Sequence, residues 1–208
     1  GIAYILAVAL GVVVGAVAAV NHGKWVDSVL MTISVFGISA PAFWIAIILQ
    51  IVICLKFNLL PLSGIDSFKS FILPGIALGT RYAASIARIT RTSMLDVLSQ
   101  DYIRTAEAKG LKGWVVTIKH ALRNALIPII TIAGSDLGNI LTGSVLVESV
   151  FSIPGIGKML VDSINTRDLP IVQGGVMYIA VICVIMYLVV DLLYTVVDPR
   201  SRLGKESS

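Results

Sequence analysis

Four side chains carry polar chemistry into otherwise apolar sequence. Asp136 stands at the middle of the run Ala125 to Val147, and Arg81 near the middle of Phe71 to Thr90. Arg88 follows seven residues after Arg81 on the same helical face, with Ser85 beside it. A charge at hydrocarbon depth costs roughly 2.5–3.5 kcal/mol on insertion scales, so such groups face protein or water. Two uses follow. Arg81, Ser85 and Asp136 could line a polar path for a solute. Alternatively, Arg81 and Asp136 form a structural ion pair while Arg88 snorkels to the interface. Asp191, at the end of the last apolar run, reads mainly as an anchor or a partner for an arginine.

Enzyme chemistry leaves no signature. The only histidines, His22 and His120, fall in different loops, so no histidine-based metal cluster is available. Neither GxSxG nor HExxH occurs. Ser152 to Met159 (SIPGIGKM) is the nearest approach to a phosphate loop. It lacks the first glycine and the final Ser/Thr, and no strand precedes it. Cys54 and Cys183 sit inside apolar runs with no paired spacing. The chain therefore reads as a non-enzyme, with no catalytic residue, metal ligand set or cofactor of its own. Any ATP it depends on would be bound by another chain.

The elements that must position these groups follow from composition. Of 208 residues, 57% are hydrophobic and 13% charged, and the mean hydropathy is +0.94. A soluble domain carries about 25% charged residues, so an ordinary soluble globule and a disordered chain are both excluded. A bilayer core about 30 Å thick needs about 20 apolar residues in a helix. Five segments qualify, at about 1–20, 29–55, 71–90, 125–147 and 171–196. Pro41 should kink the second. Strand alternation is absent, which disfavours a β-barrel. The expectation is an all-α, polytopic membrane helical bundle forming one transmembrane domain over 1–208.

Lys and Arg set the orientation. The loops 21–28, 91–124 and 197–208 hold ten, while 56–70 and 148–169 hold four. The first set should be cytoplasmic, which puts the C-terminus inside and Gly1 outside. An outside start in mid-apolar run, without the basic region of a signal peptide, implies a missing N-terminal part with a further span.

The loop 91–124 is patterned as helix, turn, helix. Asp101 can cap a short helix and Gly110 can end it in a left-handed turn. Lys112 to Arg123 would lead into the fourth span, and Pro128 falls in early turns of that span, where it costs little. The outer loop 148–169 is semi-apolar, with a turn signal at Pro154-Gly155-Ile156-Gly157. Gly11/Gly15, Gly75/Gly79 and Gly134/Gly138 form GxxxG pairs, which permit close helix contact.

Two stretches of this inner loop carry a resemblance. Asp101-Tyr-Ile-Arg-Thr-Ala-Glu-Ala-Lys-Gly110 and Lys119-His-Ala-Leu-Arg-Asn-Ala-Leu-Ile-Pro128 resemble the cytoplasmic "EAA" loop of ABC importer permeases. More narrowly they resemble the dipeptide/oligopeptide permease family in its first-subunit (DppB/OppB-like) branch. Ser85 to Met94, Gly143 to Glu148, Val150 to Gly157, Asp191 to Tyr194 and Asp198-Pro199-Arg200 agree. The general loop has Glu-Ala-Ala where this chain has Arg104-Thr105-Ala106, and Ile-x-Leu-Pro where it has His120-Ala-Leu-Arg123. The peptide branch is similar in these departures.

The resemblance implies a type I ABC importer transmembrane domain of the bacterial or archaeal cytoplasmic membrane. It implies a heterodimer with a second permease subunit, two ATPase subunits below and an extracytoplasmic substrate-binding protein above. It assigns Asp101, Tyr102, Ile103, Arg104, Thr105, Ala106, Glu107, Ala108, Lys109 and Gly110 to ATPase coupling. Thr105, Ala106 and Ala108 are small enough to enter a partner's groove, while Arg104, Glu107 and Lys109 can set register by rim charge pairs. Similar permeases handle dipeptides, oligopeptides, nickel chelates and glutathione. The competing function is a secondary transporter using Asp136 as a proton site. An intramembrane enzyme is disfavoured by the missing catalytic groups.

Overall fold

The computed structural model of the chain describes residues 1–64 and 67–197. The Asp198-Pro199-Arg200 stretch and the basic residues Arg200, Arg202 and Lys205 lie outside the described residues, as do the surroundings of Gly138, Gly143, Ser144 and Asp191. Nine α-helices follow one another among the described residues. They are α1 (Ile2–Val20), α2 (Trp25–Ser39), α3 (Ala42–Leu49), α4 (Ile72–Leu98), α5 (Asp101–Ala108), α6 (Gly113–Val115), α7 (Arg123–Val150), α8 (Ile156–Asn165) and α9 (Leu169–Val197). A π-helical stretch, Gln50–Lys56, prolongs α3, and a second, Val116–Leu122, joins α6 to α7. The all-α expectation holds.

Three of the expected spans correspond to helices long and apolar enough to cross a membrane: Ala3–Val20, Gly113–Leu137 and Leu169–Val190. The second span differs from expectation. Pro41 does more than kink it. The segment breaks between Ser39 and Ala42, and its two halves meet at 103°. A proline pushes its predecessor out of the helical region, and Ala40 is extended at φ −76°, ψ 127°. The third expected span, 71–90, is not among the helices long and apolar enough to cross a membrane. Its helix does not stop at Thr90 but runs to Leu98, about 40 Å in all. Arg91 therefore lies on α4 rather than in a loop.

The most extensive pairing joins α1 to α4. Both helices present a small residue every fourth position: Ala3, Ala7, Gly11 and Gly15 against Gly75, Gly79, Ala83 and Ala87. A Cβ on Gly11 would lie 2.6 Å from the Ala83 carbonyl oxygen, and one on Gly15 2.6 Å from Thr90 Cβ. Two of the GxxxG pairs thus mark close contacts. In the third, a Cβ on Gly134 would lie 2.5 Å from Val190 Cγ1 on α9. Since Ala3 meets Gly75 and Gly15 meets Thr90, α1 and α4 run parallel.

α2 and α7 run the other way. Asp27 reaches Arg91 while Gly37 meets Thr80 and Ala84. Ala125 and Ile129 pack with Met94 and Ala19, while Val147 packs with Leu73. The bundle consequently gathers Ala19, Met94 and Ala121 at the end that carries α5, and Leu73, Val147 and Phe151 at the opposite end.

Candidate docking helix and polar path

The short helix α5 is held by its own chain from below. Ile103 and Ala106 are buried and pack with Val116, Val97 and Leu98. Tyr102 is tied on by its hydroxyl, which accepts from Asn124 Nδ2 at 3.1 Å. The opposite face is free: Arg104, Thr105, Glu107, Ala108 and Lys109 are exposed. Two expectations change here. Ala106 does not stand on the outward face, because it forms the floor on which α5 rests. Asp101 does not cap the helix. Gln100 holds the extended N-cap position, and Asp101 is the acid of the first turn, where the helix dipole favours it.

The C-terminus of α5 ends as expected. Gly110 adopts φ +76°. Its N–H donates to the Glu107 carbonyl at 2.9 Å, and the Leu111 N–H to the Ala106 carbonyl at 3.4 Å. These two bonds form a Schellman termination, which needs a left-handed residue at that position. A Cβ on Gly110 would meet nothing within 4 Å. Glycine is required there by backbone conformation rather than by space.

The polar residues of the spans are partly brought together. Arg81, Ser85, Arg88 and Thr92 form one stripe along α4, with both arginines exposed. Ser85, Arg88 and Thr92 line a groove of about 220 Å³ with Ile38 of α2 and Ile132 of α7. Arg88 therefore shares its groove with Ser85. Asp136 stands one turn beyond Ile132 on α7, as Arg81 stands one turn beyond Ser85 on α4. No Arg81–Asp136 ion pair within 4.0 Å forms among the described residues, so the structural-pair alternative is not realised. Asp136 is half-buried, and its Oδ2 is buried without a hydrogen-bond partner. Nearby, Tyr4 packs edge-on to Tyr82 with ring centroids 5.4 Å apart, and its hydroxyl donates to the Ala133 carbonyl. A larger, mainly apolar groove of about 1090 Å³ between α1, α2 and α4 contains none of Arg81, Ser85 and Asp136.

Two acidic residues take structural roles that the motifs did not assign. Asp27 is 4% exposed. Its carboxylate receives both arms of Arg91, Nε at 2.5 Å and Nη2 at 2.7 Å, and the Gly23 N–H at 3.1 Å. Glu148 accepts from the Gly157 and Lys158 N–H groups at 2.8 and 3.3 Å, which caps α8. A Cβ on Gly157 would lie 2.8 Å from that carboxylate. The Pro-Gly-Ile-Gly turn thus lets Glu148 reach the start of a helix, α8, that packs on α7 and α9.

Residues 11–203 match the family described as binding-protein-dependent transport system inner membrane component. The chain belongs to this family. It is 45% identical over 196 residues to the glutathione transport system permease protein GsiC of Escherichia coli, covering 94% of this chain and 64% of that protein. It is 44% identical over 198 residues to GsiC of Salmonella typhi, with 95% of this chain covered. The chain thus spans somewhat under two thirds of the length of the E. coli permease. A solved structure, described as an amino acid ABC transporter with histidines, superposes with a TM-score of 0.65 at 19% identity, covering 95% of this chain and 88% of that one. The fold is therefore one shared with that ABC transporter chain. Relatives in this permease family are transport subunits of the inner membrane, in line with the missing catalytic signatures.

Proposed function

We propose that this chain is the permease subunit of an ATP-driven importer for peptides, glutathione included. It forms half of the translocation path and couples to an ATPase subunit through α5. The observation that carries this reading is the build of α5: a helix with a buried floor of Ile103 and Ala106 and a free face of Arg104, Thr105, Glu107, Ala108 and Lys109. A rigid element of this kind can carry a change at its outer face into the bundle. The path runs along the Arg81, Ser85 and Arg88 stripe toward Asp136. Two exposed arginines at that depth are costly against lipid, which favours water or a partner permease there. The partners are a second permease, two ATPase subunits that bind ATP and Mg, and an extracytoplasmic binding protein. The end that carries α5 and the C-terminus face the cytoplasm, and residues 148–169 face outward.

The test uses Ala108→Trp and Thr105→Trp in the complete transporter. Both positions are exposed, so a bulky residue leaves the fold intact and blocks only a partner. Co-purification of the ATPase should weaken at least tenfold and uptake should fail, while the permease still inserts. Unchanged co-purification and uptake in both variants would remove α5 as the docking element.

A further inference from the structure

We propose that Asp27 and Arg91 form a coupling clamp: two positioning residues that make α2 follow α4 and α5 through the transport cycle. This rests on the importer reading above.

The geometry points to a mechanical link. Asp27 lies in the first turn of α2, and Arg91 lies two turns before the end of α4. Between Arg91 and α5 the chain has no slack. Ser99 Oγ and Gln100 Nε2 donate to the Asp96 carbonyl at 2.8 and 3.2 Å, and Ile103 and Ala106 pack against Val97 and Leu98. A displacement of α5 therefore reaches Arg91 as a displacement of α4. On the far side, α2 has one open face, where Val29, Ile33, Val35 and Phe36 are exposed, and packs by the other on α4 and α1. Away from the clamp it approaches α4 through Gly37, against Ala84 and Thr80. Just beyond Gly37 stands Ile38, a wall of the groove that contains Ser85 and Arg88.

A bidentate guanidinium–carboxylate pair fixes both distance and angle, whereas an apolar contact can slide. The Gly23 N–H, donating to the same carboxylate, holds Asp27 in that orientation, and His22 Nδ1 lies against both members of the pair, 3.2 Å from Asp27 Oδ2 and 3.0 Å from Arg91 Nη2. Stability alone does not account for the pair, because buried ion pairs often contribute little net stability relative to apolar replacements. Its distinctive property is rigidity at one joint, which lets movement of the docking helix change the groove wall at Ile38.

The experiment uses the full-length subunit in its complete transporter, reconstituted in proteoliposomes, with ATP hydrolysis and peptide uptake measured together. Asp27→Asn and Arg91→Gln should raise the ATP consumed per peptide about five- to tenfold, the lower range of usual coupling effects. Arg91→Lys, which keeps the charge but not the fork, should fall between these and wild type. Arg91→Gln orphans the buried Asp27, and Asp27→Asn leaves the partly buried Arg91 without its carboxylate, so less transporter will assemble. The double variant, Asp27→Asn with Arg91→Gln, leaves no orphan charge. Its assembly should recover while its ATP per peptide stays raised. The clamp is overturned if coupling recovers along with assembly, or if uptake and hydrolysis fall in proportion. Unchanged coupling in the single variants overturns it equally. Absence of ATP-driven uptake by the wild-type transporter would instead overturn the importer reading, and the clamp with it.

Discussion

The two faces of α4 are built on opposite principles. Toward α1 it presents Gly75, Gly79, Ala83 and Ala87, which let two backbones approach. Away from that seam it presents Arg81, Ser85, Arg88 and Thr92. In a bilayer no hydrophobic force drives one apolar helix onto another, so close packing has to do so. A stripe that packed equally well could not also hold exposed arginines. The helix therefore sets its packing seam and its polar stripe apart by nearly half of its circumference, at about 100° per residue. The separation predicts that damage to one face should leave the other's readout intact.

The strongest way to break the comparison is through the seam. A leucine at Gly15 would drive its side chain into Thr90, whose Cβ lies 2.6 Å from the position of even a first carbon. Thr90 is wholly buried and has no room to turn. Gly15→Leu should cost at least about 3 kcal/mol, the upper end of ordinary overpacking, and should abolish accumulation of folded subunit. Detergent-solubilised yield and melting temperature measure this; a wild-type melting curve would mean that α1 and α4 are not held as described. Arg81→Met on the other face should do the reverse. Uptake should fall on the order of tenfold, equivalent to about 1.4 kcal/mol in a rate, with the melting temperature unchanged. Normal uptake would remove Arg81 from the path.

The two faces also show what could be read in advance. The glycine spacing and the two arginines are local patterns, and both were visible as residues at i, i+4 and i+7. Gly110 was legible for the same reason, since a left-handed helix end is decided within five residues. What stayed hidden depends on distant chain. Ala106 could point either way on an eight-residue helix. Its inward position is set by Val116 and by a tail of α4 extending past the expected membrane edge. Asp27 escaped notice because orientation is argued from Lys and Arg, and its partner is 64 residues away. The remaining signal was one acid three residues after the loop's one lysine, Lys24. Pro41 announced a break, but the 103° turn depends on what α3 packs against, namely α4 and α7.

The smallest effect should come from grading the seam along its length. At Gly79 a Cβ would stand 3.3 Å from Ala7 Cβ and 3.6 Å from the Ala3 carbonyl oxygen. That is tight, yet a shift of a few tenths of an ångström relieves it, and alanine also favours the helix by roughly 0.8–1.0 kcal/mol over glycine. The two terms nearly cancel, so Gly79→Ala should change stability by less than about 1 kcal/mol. At Gly11 the same methyl would stand 2.6 Å from the Ala83 carbonyl oxygen and 2.8 Å from Ile86 Cβ. There the obstacle is backbone plus a fully buried side chain, and neither can yield without moving α4. Gly11→Ala should therefore cost about 1–3 kcal/mol. Melting temperatures of the two variants, read side by side, decide the matter. A ranking with Gly79→Ala the more damaging would mean that the helices approach most closely near Ala3 and Ala7, and that the crossing point lies elsewhere than at Gly11 and Gly15.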